Sequence, residues 1–277
     1  MSVGLVKTMA TGIRPALVAA TLAAALLSSM LLGGCATKDT GAADVWDPIE
    51  IPNRFVFAID RTVDMIAIRP FAAFYRDFMP EKGQQGVHNV LGNLGEPVTA
   101  FNEVVQGHPG RAGKTLARFV VNSTIGIVGL FDVAAYMGLE KTKEDMGKTI
   151  GYYAGVEPEN GGFFLMLPLI GPSNARDGVG LAIDASMDPF NILTIFATGS
   201  TGTALNIASA VRYGADVIDA RVRTMTALDD LEKNSVDYYA ALRSAYTQQR
   251  AELIRQKRQK TDAKAELERR DNLALVR

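Results

Sequence analysis

The chain has 277 residues, 48% of them hydrophobic, with a formal net charge of −1, two histidines and one cysteine. Near-neutrality excludes a global electrostatic attraction to nucleic acid. A single thiol excludes an intrachain disulfide and a cysteine-rich zinc site.

The N-terminus carries the first signal. Lys7 and Arg14 precede an apolar stretch, Ala16 to Leu32, interrupted only by Thr21, Ser28 and Ser29, and it ends in Leu32-Gly33-Gly34-Cys35. A basic region, an apolar region and small residues before a cut describe a secretory signal peptide over residues 1–34. Leu-Gly-Gly-Cys resembles a bacterial lipobox, which makes Cys35 the expected lipidation site and mature N-terminus. The alternative is an ordinary signal, or a short membrane helix, with a chance cysteine. Residue 36 is Ala and not the Asp that retains many lipoproteins at the inner membrane, so the expected destination is the outer membrane. Residues 35–46 read as the lipidated N-terminus and a small, polar tether.

From residue 47 to 255 most segments carry helical periodicity, and few alternate as strands do. Val87, Val90, Leu91 and Leu94 share one helical face. After Gly95-Glu96, Pro97 fits the first position of a new helix, whose stripe of Val98, Phe101 and Val105 ends at Gly107. Ala204, Ile207, Ala208, Val211, Ala215, Ile218 and Val222 form a long apolar stripe with Arg212, Asp216, Asp219 and Arg223 opposite, an amphipathic helix.

Three segments, 119–130, 163–170 and 190–198, are apolar with little facial alternation. Each is shorter than the roughly 20 residues a spanning helix needs. They suit either buried core helices or insertion into one leaflet, and the sequence leaves both open. Residues 256–277 alternate Lys and Arg with Asp and Glu and read as a solvated helical extension or a disordered end.

Catalytic and metal chemistry find no support. His88 and His108 read as polar groups near helix ends, and no nucleophile elbow of the G-x-S-x-G kind occurs. The run from Gly107 to Thr115 imitates a phosphate loop, but that motif requires Gly where His108 stands, and it follows a helical stripe where a strand is needed. The expectation is a non-enzyme with no cofactor and no metal.

The remaining signal is an ordered series of short motifs. Asp47-Pro48-Ile49-Glu50, Asn53-Arg54-Phe55, Arg69-Pro70 and Tyr75-Arg76 come first, then Asn93-Leu94-Gly95-Glu96-Pro97. Arg118-Phe119-Val120-Val121-Asn122-Ser123-Thr124, Phe131-Asp132, Glu144-Asp145-Met146-Gly147-Lys148-Thr149 and Leu167-Pro168-Leu169-Ile170-Gly171-Pro172-Ser173 follow, and Arg176-Asp177 and Asp188-Pro189 close the series. In this order and spacing they resemble the MlaA (VacJ) family over roughly residues 44–255. Asp60 and Met146 depart from it, where the family usually has Asn and an aromatic residue.

The resemblance implies an all-α fold: a single ring-like domain of amphipathic helices lying in one leaflet of the outer membrane, around a central polar channel. It implies retrograde transport of phospholipids misplaced in the outer leaflet, with a trimeric porin and a periplasmic phospholipid carrier as partners. Asn122, Ser123, Thr124, Asp132, Arg176 and Asp177 are then candidates for the channel lining. Asn53, Arg54, Asp60 and Arg61 are candidates for a gating segment near the anchor. Arg118, Asp132, Arg176 and Asp177 equally suit paired buried charges that hold helices in register. A porin tether without transport and a periplasmic lipid hydrolase are the competing readings.

Overall fold

The computed structural model describes residues 45–154 and 161–275. The signal peptide, Cys35 and most of the tether lie outside the described residues.

Helix α1 (Glu50–Val63) carries an acid in its first turn and Arg61 in its last, matching the helix dipole at both ends. It passes through a π-helical turn (Asp64–Ile68) straight into α2 (Arg69–Phe78). Helices α3 (Glu81–Val105) and α4 (Pro109–Thr124) pack against each other as a helical hairpin. Its turn uses Gly107 at φ +73°, a conformation open to glycine at little cost. Asp132 caps the short α5 (Val133–Tyr136), and Asp145 caps α6 (Met146–Tyr153).

A two-stranded antiparallel hairpin follows, β1 (Phe164–Leu167) with β2 (Gly171–Asn174), in which Phe164 faces Asn174 and Leu167 faces Gly171. Then come α7 (Ala175–Met187), α8 (Pro189–Phe196), α9 (Gly199–Asn234) and α10 (Tyr238–Leu275). The last helix returns to the start: Arg243 in α10 pairs with Asp47 at 3.0 Å. The helical succession closes on itself in this way.

Several sequence expectations are corrected. The segment 163–170 is a strand and a turn, not a helix, because Leu169 at φ +62° and Gly171 at φ +99° reverse the chain after Pro168. Pro97 lies inside α3 and starts no new helix. A proline forfeits one intrahelical hydrogen bond, and burial of Asn93, Glu96, Thr99 and Ala100 on both sides of Pro97 keeps the helix continuous. His88 is well inside α3, whereas His108 does stand at the start of α4. The charged tail continues α10, and Lys257 within it is buried.

The burial pattern is inverted. Among the described residues eighteen polar or charged side chains are buried against eleven apolar ones, five of the latter being alanines. One small apolar cluster, Phe164, Met166 and Tyr239 with Val56, Phe57 and Leu242 packed on it, joins α1, the hairpin and α10. Elsewhere large apolar side chains face outward: Ile125, Ile127 and Val128 after α4, and Ile195 and Phe196 in α8, the last 80% exposed. The amphipathic α9 obeys the same inversion. Ile207 and Val211 of its apolar stripe are exposed, while Asp219 and Arg221 are buried. No single described helix is long and apolar enough to cross a membrane, although α7 and α8, bent by 57°, pass that test together by length and composition.

Candidate functional site

Polar side chains organise the interior in discrete clusters. Around the chain start, Asn53 of α1 donates to Asp47 at 2.8 Å and to the Phe164 carbonyl at 3.0 Å, and accepts from the Met166 amide at 2.9 Å. This one side chain therefore docks β1 onto α1. Arg54 beside it pairs with Glu50 at 2.6 Å and with Asp237, and lies over the Tyr239 ring. Tyr239 in turn donates to Asp47.

Nearly two turns on, Asp60 accepts the Leu169 amide at 2.8 Å and so reaches the tip of the β-hairpin. Burial pushes the Asp60 carboxyl up, with the Leu169 hydrogen bond opposing. Arg61 points elsewhere, to Glu232 of α9 at 2.6 Å.

The second cluster sits in the α3–α4 hairpin. Arg118, 1% exposed, reaches Glu96 at 3.3 Å, both Asp132 oxygens at 2.9 and 3.0 Å, and the Leu139 carbonyl. Asn122 donates to Asp132 at 3.0 Å and accepts the Ala134 amide. Burial raises the Glu96 carboxyl, an effect that Arg118 opposes. For Asp132 burial acts in the same direction, but hydrogen bonds from Asn122 and Arg118 prevail and lower it. Ser123 accepts from Asn93 at 2.8 Å, while Thr124 is exposed and turns back to the Val120 carbonyl.

In the third cluster Arg250 of α10 bridges Asp145 at 2.8 Å and Asp177 at 2.9 Å. Tyr246 donates to Asp177 at 2.6 Å, and Arg176 and Asn174 complete its shell. Burial alone would raise the Asp177 carboxyl, yet the hydrogen bonds from Arg250 and Arg176 hold it down at about 2. This clustering needs α6 and α7 to touch backbone to backbone. A Cβ on Gly180 would stand 2.3 Å from the Gly147 nitrogen, so only glycine fits.

Further buried groups extend the network. Glu103 accepts from Thr115 and Thr142, and Gln106 donates to Thr149. Lys257 pairs with Glu144 at 2.6 Å, and Arg221 of α9 pairs with Asp64 at 2.8 Å. Among the described residues no group of His, Cys, Asp and Glu is placed to hold a metal ion.

Beside these clusters lies a cavity of about 670 Å³ between α2, the π-helical turn, the hairpin tip and α9. Its walls include Ile68, Phe71, Phe74, Leu169 and Ile218, so they are apolar, unlike the lining expected of a polar channel.

The expected site residues thus divide into four sets and do not meet at one point. Asn53 and Arg54 dock the chain start, Asp60 and Arg61 reach the hairpin tip and α9, and Asn122, Ser123 and Asp132 brace the α3–α4 hairpin. Arg176 and Asp177 lie by α10. Sequence reasoning missed Arg250 and Tyr246 as partners of Asp177, and Glu103 and Asp219 as buried acids. One usable signal existed in α3: Asn93, Glu96, Ala100 and Glu103 follow 3–4 spacing, a buried face made of polar and small residues.

Comparison with known proteins agrees with this architecture. The profile of the MlaA lipoprotein family matches residues 45–253. An uncharacterised protein of Rickettsia bellii is 34% identical over 76% of this chain and 77% of its own. The intermembrane phospholipid transport system lipoprotein MlaA of Escherichia coli is 31% identical over 82% of this chain and 86% of its own. A solved structure described as the structural basis for maintenance of bacterial outer membrane lipid asymmetry matches with a TM-score of 0.59. It is 29% identical and covers 75% of this chain and 98% of its own. The chain belongs to the MlaA lipoprotein family.

Proposed function

We propose that this chain is the outer-membrane lipoprotein of an intermembrane phospholipid transport system. In this reading it withdraws phospholipids misplaced in the outer leaflet and passes them to a periplasmic carrier, with a trimeric porin as its membrane neighbour. It does so as a transport component without catalysis. The signal peptide (1–34) is removed, Cys35 is lipidated, and the domain (47–255) lies in the periplasm-facing leaflet.

The observation that carries this reading is the inverted burial. Apolar surface gains nothing from exposure to water, whereas Ile125, Ile127, Val128, Ile195 and Phe196 suit acyl chains. The pairs that the buried Arg118 makes with Asp132, and the buried Asp177 with Arg250, satisfy polar groups that hydrocarbon would leave unsolvated. In this reading Asn53, Arg54, Asp60, Arg61, Asn122, Ser123, Asp132, Arg176 and Asp177 act chiefly by holding helices and hairpin around the lipid path, whereas the exposed Thr124 bonds only within its own helix.

Deleting the gene and measuring phospholipid in the outer leaflet is the direct test. Accumulation reversed by the wild-type gene is expected; unchanged asymmetry overturns the transport reading and leaves a tether. Cys35→Ala should release the protein from the outer membrane and fail to complement. Full complementation by His88→Ala with His108→Ala is expected, and its failure would favour a histidine-dependent hydrolase.

A further inference from the structure

The cavity beside α2 is a lipid site of a particular kind, an inference that rests on the transport reading. The cavity, about 670 Å³, is walled by apolar side chains and so suits acyl chain and not head group. Among the residues that wall it only the Tyr75 hydroxyl is a buried donor without a partner, which fits one ester carbonyl and hence one acyl chain.

Two further observations say how the lipid sits. Phe71 and Phe74 line the cavity and are also 67% and 60% exposed, so its wall runs continuously onto the outer apolar face. Tyr75 also lines the cavity, and its hydroxyl is buried without a hydrogen-bond partner. An unmade bond of this kind is costly, and an acyl ester carbonyl would accept it.

We propose that the cavity takes a single acyl chain of a membrane phospholipid, with the Tyr75 hydroxyl donating to that chain's ester carbonyl. The second acyl chain stays outside, along the exposed Phe71 and Phe74 face. The lipid is bound splayed, one chain in the protein and one in the leaflet.

The test uses the full lipidated chain in vesicles of phosphatidylethanolamine and phosphatidylglycerol. A trace of phosphatidylethanolamine carries a photoreactive group near the end of one acyl chain, and labelled residues are mapped by mass spectrometry. Labels are expected on Ile68, Phe71, Phe74 and Ile218. Gly214 lines the cavity, and a Cβ there would meet nothing within 4 Å. Gly214→Trp should therefore fill the cavity, keep the melting temperature, and cut labelling about tenfold or more, equivalent to ~1.4 kcal/mol.

Tyr75→Phe should cut labelling about fivefold, the size of one hydrogen bond, without unfolding the protein. Lysophosphatidylethanolamine, with one chain, should compete as well as the diacyl lipid. Labels confined to other residues, labelling indifferent to both variants, or a lysolipid that fails to compete would each overturn the proposal. Labelling needs no transport partner, so the two readings fail separately. Labelling that Gly214→Trp abolishes, in a protein whose deletion leaves asymmetry intact, upholds the site and sinks transport. Complementation without labelling does the reverse.

Discussion

Asp60 and Leu169 are joined by one hydrogen bond, the Leu169 amide donating to Asp60 Oδ1 at 2.8 Å. Leu169 holds φ +62°, a left-handed conformation that costs a side-chain-bearing residue about 1–2 kcal/mol. Its carbonyl accepts from Tyr213 of α9 at 3.2 Å, and its side chain lines the apolar cavity. A strained residue at the cavity wall is thus held from α1 on one side and α9 on the other.

Asp60→Ala should remove one side of that hold, at a cost of about 1 kcal/mol, and speed amide exchange at residues 167–171. Asp60→Asn keeps the acceptor and removes a carboxylate whose burial disfavours its charge, so stability should stay within about 0.5 kcal/mol of wild type. Hydrogen exchange by mass spectrometry reads both variants. Unchanged exchange in the alanine variant means that the tip is held by packing alone.

Arg118 offers a stronger contrast. Arg118→Met leaves the buried Glu96 and the half-buried Asp132 without their cation, a loss expected at about 3–5 kcal/mol. Adding Glu96→Gln and Asp132→Asn to the same chain should restore most of it, since the penalty belongs to the stranded charges. Denaturant melts in detergent decide the matter. A single variant that loses under about 1 kcal/mol means that the triad is solvated.

The pH dependence follows from Asp177. Its carboxyl, held at about 2 in the fold, lies below the unfolded value near 3.9. The pairing with Arg250 therefore stabilises fully above about pH 4 and is lost as pH falls towards 2. The amount is about 2–3 kcal/mol. Wild-type melting temperature should fall across that window, and Asp177→Asn should start lower at neutral pH and fall less. Parallel curves for the two proteins would remove Asp177 from the acid response.

Much of this was legible in the sequence, though one sign was not. Asn122, Asp132, Arg176 and Asp177 stand out as polar groups in or beside apolar segments, and the structure does bury Asn122 and Asp177. The α9 stripe of Ile207 and Val211 marks a helix, but periodicity alone does not say which face points outward. Arg250 was hidden because a charge in a charge-rich helix reads as solvated until Asp145 and Asp177 are placed beside it. Phe164–Leu167 is a four-residue apolar run, too short for periodicity to separate strand from helix. Asn53 carried a motif, but its role needs the Phe164 carbonyl, 111 residues away.

The charged tail divides inside α10. Truncation after Arg255 removes the buried Lys257, whose ammonium pairs with Glu144, and Arg258, which donates to the Gly151 carbonyl at 2.7 Å. The stranded Glu144 and the lost bonds should cost about 2–4 kcal/mol. Truncation after Thr261 keeps both contacts and should leave the melting temperature close to wild type. Equal stability of the two truncations would show that Lys257 contributes nothing.

A deletion in α1 separates gate from scaffold. Removing two residues within 57–61 turns the following side chains by about 200° around the helix axis. Asn53 and Arg54 precede the cut, so their bonds to Asp47, Phe164 and Asp237 survive. The hold of Asp60 on Leu169 and the pairs Arg61–Glu232 and Asp64–Arg221 follow or span it, and they are lost. The expected product is a stable, anchored protein with a freed hairpin tip, which leaks phospholipid into the outer leaflet. Because a leak adds a route that an intact copy cannot close, the defect should be dominant over wild type. Immunoblots for protein level and outer-leaflet phospholipid in a strain carrying both alleles read the result. A recessive defect, or a protein that disappears, would show that residues 57–61 serve structure alone.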